Sequence, residues 1–262
     1  MTNTKETQQK HNTEQAGRHP FRALLAVLVL LALFFGAASH FWGEKTGSIG
    51  ATVNTFLNTD TTTVSAEDDW NLILVNPWNK VPDGYDVTLK QLPNGLSIDE
   101  RCYSDLLKMM QDCEKAGLSP KICSAYRTQE KQTQLFEDKV RRLKKQGYAE
   151  DAARKEAAKS VAVPGTSEHQ LGLAVDVTDA HNQNLDSSQE KTKVQKWLMK
   201  NSWKYGFILR YPNGKSDITG IIYEPWHYRY VGREAAEEIT RQEICLEEYL
   251  GYESGQLSEG TG

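Results

Sequence analysis

The chain has 262 residues, 39% of them hydrophobic and 25% charged, a composition that excludes the disordered, collagenous and polytopic membrane classes. Its length allows one or two domains of roughly 100 to 200 residues and a sizeable core. With 31 Lys and Arg against 35 Asp and Glu, the net charge of −4 gives no support for a nucleic-acid partner.

Near the start, Ala23 to Ser39 (ALLAVLVLLALFFGAAS) carries no charge, and Phe41 and Trp42 extend the run past His40. At about 1.5 Å of rise per residue a helix of this length nearly spans a hydrocarbon core of about 30 Å. Lys5, Lys10, Arg18 and Arg22 precede it against only Glu6 and Glu14. That bias predicts a cytoplasmic tail over 1–22, a transmembrane signal-anchor over 23–42 and an extracellular remainder at the cell membrane. The run is longer than a signal-peptide core, which favours retention over cleavage at Ala37, Ala38 and Ser39. The four cysteines, Cys102, Cys113, Cys123 and Cys245, all follow this run. An even number in an oxidising compartment predicts disulfides, with three connectivities open; the alternative is four buried free thiols, since some exported proteins leave thiols unpaired.

Residues 43–68, rich in Gly, Thr, Asn and Asp, read as a linker, 69–251 as the folded domain and 252–262 as a tail. WNLILVNPW predicts a short buried strand. Ser97 and Glu100 have capping-box spacing, and Tyr103, Leu106, Leu107 and Met110 follow at helical intervals until Gly117. KICSAY is a strand, and Thr128 caps a helix over 129–146. A second helix over 149–160 makes a charged hairpin broken at Gly147, with RRLKK on a solvated face. HQLGLAVDV reads as a buried strand, Thr192 to Asn201 as a helix, and FILRY as a strand that ends at a turn over Pro212 to Gly214. In IIYEPWHYRYV, Pro225 predicts an edge strand or bulge, and a last helix runs from Arg233 to Arg241. The pattern is α+β, with a small mixed or antiparallel sheet and flanking helices in one domain.

Three histidines fall in that domain. His181, in the turn-like DAHNQN, reads as surface. His169 and Asp176 lie seven apart in SEHQLGLAVD, and Glu224 and His227 three apart in EPWH. Three of these four side chains can bind one divalent ion while the fourth moves protons. Catalytic zinc takes three protein ligands and leaves a position for water, whose pKa it lowers towards ~7. A nearby Glu then accepts the proton. Spacing alone leaves a second reading open, in which His169 is satisfied by hydrogen bonds and His227 packs among Trp226 and Tyr228.

Together, SAYRTQEKQ, GTSEHQLGLAVDV, YGFILRYP and TGIIYEPWHYRYVG resemble the zinc D,D-carboxypeptidases of the VanY type, within the broader D-alanyl-D-alanine carboxypeptidase and dipeptidase family, over about residues 70 to 251. The resemblance implies one Zn2+ on His169, Asp176 and His227, with Glu224 as general base. It also implies that Arg127 faces the substrate to grip a carboxylate or oxyanion, and that Gln132, Ser167 and Tyr211 line the pocket. The implied partners are a peptidoglycan stem peptide ending in D-Ala-D-Ala and the membrane, with no obligate protein partner. Alternatives remain: an L,D-carboxypeptidase on tetrapeptide stems, a wall-peptide-binding domain with structural zinc, and a non-haem iron site. The charged hairpin between Arg127 and His169 exceeds what such enzymes require, which leaves substrate preference open.

Overall fold

β-Branched and aromatic residues gather in four short segments, and these pair into an antiparallel sheet. They are β3 (Pro120–Ser124), β4 (Ala174–Asp179), β5 (Phe207–Leu209) and β6 (His227–Tyr230), in the order β3-β4-β6-β5. The computed structural model describes residues 69–252, and the expected tail, signal-anchor and linker over 1–68 lie outside them, as do residues 253–262. Among the described residues no helix is long and apolar enough to cross a membrane.

Because side chains alternate along a strand, the sheet has two chemically distinct faces. Val175, Val177, Phe207, Tyr228 and Tyr230 enter the main core. There they meet α1 (Glu100–Lys115), whose Cys102, Leu106, Met109, Met110 and Cys113 form one buried stripe, and Val194 and Leu198 of α4 (Lys193–Asn201). The other face carries Asp176 opposite His227 and Ala174 and Ile208 opposite Arg229. A one-residue slip of β6 would carry His227 into the core.

The helical hairpin consists of α2 (Gln129–Lys145) and α3 (Glu150–Ala158). Thr128 caps α2 as expected, its Oγ1 accepting from the Lys131 N–H at 3.2 Å. The two helices make their own small core from Phe136, Val140, Leu143, Ala153 and Ala157. Two further short helices, α5 (Ser216–Thr219) and α7 (Leu246–Tyr249), flank β6 and the final long helix α6 (Arg233–Gln242) in sequence.

Four expectations are corrected. WNLILVNPW is not a strand: Trp70–Leu72 forms a 3-10 turn, and the Asn76 carboxamide oxygen accepts from the Trp78 and Asn79 N–H groups at 3.1 and 3.0 Å. That Asx turn, with Pro77 lacking a donor, competes with sheet pairing. Ser97 is not a helix cap, because Ser97–Asp99 is β2, paired with β1 (Leu89–Gln91). Asp99 caps α1 instead, its side chain accepting from the Arg101 N–H. Nor is β6 an edge strand: it lies between β4 and β5, since Pro225 falls in the turn before the ladder starts at His227. Finally, all four cysteines are free thiols. Cys102 and Cys113 sit eleven residues apart on one helix, roughly 16 Å, beyond any disulfide, and act as small apolar core residues.

Candidate metal centre

The register that pairs β4 with β6 sets Asp176 directly opposite His227, and a bulged β3 sets Ser124 beside Asp176 on the other flank. His169 arrives from the 3-10 turn Glu168–Leu171 that precedes β4. The turn closes through Gly172 at φ 74°, where a Cβ would stand 3.2 Å from the backbone nitrogen of Asp99. Only glycine combines that conformation with that approach. His169 is clamped by the segment after β3: its Nδ1 donates to the Ala125 carbonyl at 2.7 Å, and its own carbonyl accepts from the Arg127 N–H at 3.1 Å.

A carbonyl can only accept, so the proton of neutral His169 sits on Nδ1 and the lone pair on Nε2 faces Asp176 Oδ2 at 3.3 Å. His227 is oriented in the opposite sense. Its Nε2 faces the Glu168 carboxylate at 3.4 Å, which turns Nδ1 towards Asp176 Oδ1 at 3.2 Å and Glu224 Oε2 at 3.7 Å. One ligand atom from each of His169, Asp176 and His227 lies within 4.8 Å of the others, and all three residues are buried. Among the described residues Asp176 Oδ1 is the buried side-chain atom without a hydrogen-bond partner. A carboxylate that keeps one oxygen orphaned and meets an imidazole nitrogen at each of its two oxygens is what a cation site needs. The residues therefore fit a divalent metal.

Around these ligands lies a buried ionic cluster. Glu168 Oε1 accepts from Arg210 Nε at 2.6 Å and Arg229 Nη1 at 2.8 Å. Arg210 also forks onto Glu247 at 2.8 and 2.6 Å, and Asn76 donates to Glu247 at 3.0 Å. Arg229 completes its donors on the carbonyls of Asn71, Ile73 and Tyr230. These four charged residues are at most 2% exposed, and two positive and two negative charges balance.

The two glutamates nearest His227 are driven in opposite directions. Burial resists charge on Glu168, but Arg210 and Arg229 overcome it and hold its carboxyl well below the usual range. Glu224 has no such partner, and burial, with Asp176 adding to it against the pull of His227, pushes it up to about 8. One carboxylate is thus a fixed anion and the other is poised to exchange a proton. Burial and Arg127 lower His169 to about 4. Burial also resists charge on His227, yet hydrogen bonds to Asp176 and Glu168 raise it to about 9.

A cavity of about 540 Å³ opens over this group, lined by the three ligand residues and by Arg127, Ser167, Tyr211 and Glu224. Arg127 is anchored through Nε to Ser124 Oγ at 2.9 Å and through Nη2 to Asp176 Oδ2 at 2.7 Å. Tyr211 packs its ring centroid 4.8 Å from that of His227. Gln132 stands outside the cavity lining, fully buried behind Arg127. Its Oε1 accepts from Arg127 Nη1 at 3.3 Å and its Nε2 donates to the Ala162 carbonyl at 2.7 Å. His181 is exposed in its turn. Sequence reasoning missed Glu168, Arg210, Arg229 and Glu247. The available signal was an arginine inside each apolar strand segment, FILRY and HYRYV, where a charge needs a buried partner.

A family model described as D-alanyl-D-alanine carboxypeptidase, VanY, matches residues 95–233. A D-alanyl-D-alanine carboxypeptidase of Enterococcus faecalis is 49% identical over 188 residues, which cover 71% of this chain and 68% of that protein. The solved structure of a vancomycin-resistance D,D-pentapeptidase VanY from a VanB-type cassette, in complex with Zn(II), superposes with a TM-score of 0.64 at 48% identity, covering 69% of this chain and 99% of that one. VanYB in complex with D-alanine-D-alanine gives 0.65 at 49% identity, over 70% and 99% of the two chains.

Proposed function

Because this chain belongs to the VanY family of D-alanyl-D-alanine carboxypeptidases, we propose that it is a zinc-dependent D,D-carboxypeptidase that removes the terminal D-alanine from peptidoglycan stem pentapeptides or their precursors. The observation that carries this is the convergence of His169, Asp176 and His227 within 4.8 Å in one cavity with Glu224 and Arg127. The L,D-carboxypeptidase alternative is not favoured, since the VanY structure at 48% identity is named a D,D-pentapeptidase.

His169, Asp176 and His227 would hold the zinc, which supplies a Lewis acid that polarises a carbonyl and brings bound water towards a pKa of ~7. Glu224 accepts the proton from the attacking water and returns it to the departing amine as the C–N bond breaks. The Glu224 carboxyl, raised to about 8 without metal, would be lowered by a cation held on the three ligands and so be ready as a base at neutral pH. The guanidinium of Arg127 presents its planar fork to the terminal carboxylate or the developing oxyanion. Gln132 and Ser124 fix that fork from behind, as positioning residues. Glu168 holds the imidazole of His227 with Nδ1 turned into the site, and Tyr211 packs against its ring.

The apolar run over 23–42 and its basic flank support a membrane-anchored enzyme with this domain outside the cell. The test of the activity is mass spectrometry of a synthetic stem pentapeptide ending in D-Ala-D-Ala, incubated with the full chain with and without a chelator. Chelator-sensitive loss of one alanine is expected; an intact pentapeptide beside a cleaved tetrapeptide would reverse the order of the two readings. Glu224→Ala should lose about 10²- to 10⁴-fold in turnover while retaining zinc, and undiminished turnover would remove Glu224 from the base role.

A further inference from the structure

The charged hairpin divides its basic residues between two environments. Arg141 and Lys144 pair with Asp138 and Glu150 in solvent. Lys139 and Arg142 instead line the cavity, and neither has an ion pair or side-chain hydrogen bond among the described residues. With Leu135 they form one stripe of α2 at intervals of four and three, the spacing of a single helix face. Acidic residues also line the cavity, but each is engaged. Asp176 pairs with Arg127, Glu224 stands at the ligands, and Asp186 accepts from the Ser188 N–H at 2.8 Å. The two cations of α2 are left without an anionic partner in a cavity built for a peptide.

Their distance from the reacting end is set by the helix. Gln132, which holds Arg127, precedes Lys139 by seven residues, about 10 Å along the axis, and Arg142 by ten, about 15 Å. A peptide extended along α2 advances about 3.3 Å per residue, so one held by Arg127 and laid along this helix meets Lys139 and Arg142 about three or more residues from the group that Arg127 grips. In a stem pentapeptide that distance reaches the γ-linked glutamate at the second position, whose α-carboxyl is a side branch of the chain.

We propose that Lys139 and Arg142 form a carboxylate-binding subsite of the substrate cavity, which selects stem peptides with a free carboxylate upstream of the scissile bond. The proposal rests on the D,D-carboxypeptidase reading. The subsite touches none of the reacting atoms, so it acts on KM and leaves kcat nearly unchanged. Its contribution falls as ionic strength rises, because Arg142 is exposed and Lys139 only half-buried.

The test compares two synthetic pentapeptides ending in D-Ala-D-Ala, identical except that the γ-linked glutamate carries an α-carboxylate in one and an α-carboxamide in the other. The full-length zinc-loaded enzyme should prefer the carboxylate by about tenfold in kcat/KM, the scale of one charge-assisted hydrogen bond. The double variant Lys139→Gln with Arg142→Gln should lose that preference through KM, and its kinetics on the carboxamide peptide should stay within about twofold of wild type. That carboxamide activity also shows that the variant is folded. Equal cleavage of both peptides by the wild type would overturn the subsite while leaving the carboxypeptidase reading intact, and so would a variant that retains the full preference. Failure of the wild type on both peptides would reject the carboxypeptidase reading itself, and the subsite with it.

Discussion

Two regions of this protein are rich in charge and use it in opposite ways. On the helical hairpin, Arg154 reaches Glu137 and Glu150, Arg141 pairs with Asp138 and Lys144 with Glu150, all with side chains open to water. Around the metal centre, Arg210, Arg229, Glu168 and Glu247 use the same residue types at no more than 2% exposure. Water screens the first set and lets its partners exchange. The second set has no water to fall back on, so each charge depends on its assigned partner. Burial turns an ion pair from an ornament of the surface into a constraint on where His227 points.

The largest break in that comparison is Arg210→Met, which leaves Glu168 with one of its two arginines and Glu247 with only Asn76. Removal of one partner from a buried charged set costs about 3–5 kcal/mol. Thermal and denaturant unfolding of the metal-free domain should show that loss, and a midpoint unchanged from wild type would mean that the cluster contributes nothing. Glu168→Gln is a narrower cut. Arg210 keeps Glu247 and Arg229 keeps its carbonyls, while His227 Nε2 exchanges an anion for a neutral amide. Zinc affinity, read by competition with a chromophoric chelator, should fall about 10- to 100-fold. Unaltered affinity would show that Glu168 is there for the arginines alone.

These residues also mark the limit of what the sequence discloses. His169, Asp176, Glu224 and His227 could be picked out because few residue types bind metals or move protons near neutral pH; spacing alone left a packed, hydrogen-bonded reading open, and the division into three ligands and a base came from the family resemblance. Thr128 and the α2 helix were legible from local chemistry alone. Glu168 was not, although it is the neighbour of His169, because an isolated glutamate is solvated far more often than buried. Its partners lie 42 and 61 residues away, and no local pattern connects them. The misplaced edge strand has the same origin. Pro225 forbids a ladder bond only at its own position, and where β6 begins depends on pairing with β4 and β5.

Acidity separates the two glutamates in solution. For Glu168 and Glu247 the folded pKa is depressed, so their stabilisation is complete above the ordinary value near 4.5 and is lost as pH falls through the folded pKa. Glu224 is raised to about 8, so the folded state binds its proton more tightly. The metal-free protein loses stability from this group as pH climbs from about 4.5 to about 8. Glu224→Gln removes that slope. The variant should gain over wild type with rising pH across that window, by about 5 kcal/mol at the top, and then run parallel to it. A difference that is flat with pH would mean that Glu224 is already ionised at neutrality without metal.

The smallest effect should come from the hairpin, and it is the sharper half of the comparison because the geometry there looks as favourable as in the buried cluster. Arg154 makes two parallel hydrogen bonds to Glu137 at 3.0 and 3.1 Å and a third to Glu150 at 3.0 Å. Good geometry raises the pKa of Arg154, but water offers the same donors and acceptors once the fork is removed. Arg154→Ala should therefore leave the thermal midpoint within the scatter of the measurement, and added salt should change the wild type equally little. Phe136→Ala, which empties the small core between α2 and α3, should destabilise this same hairpin by about 3 kcal/mol. If Arg154→Ala instead matched Phe136→Ala, the hairpin would be held by its charges, and burial would not be what separates the two regions.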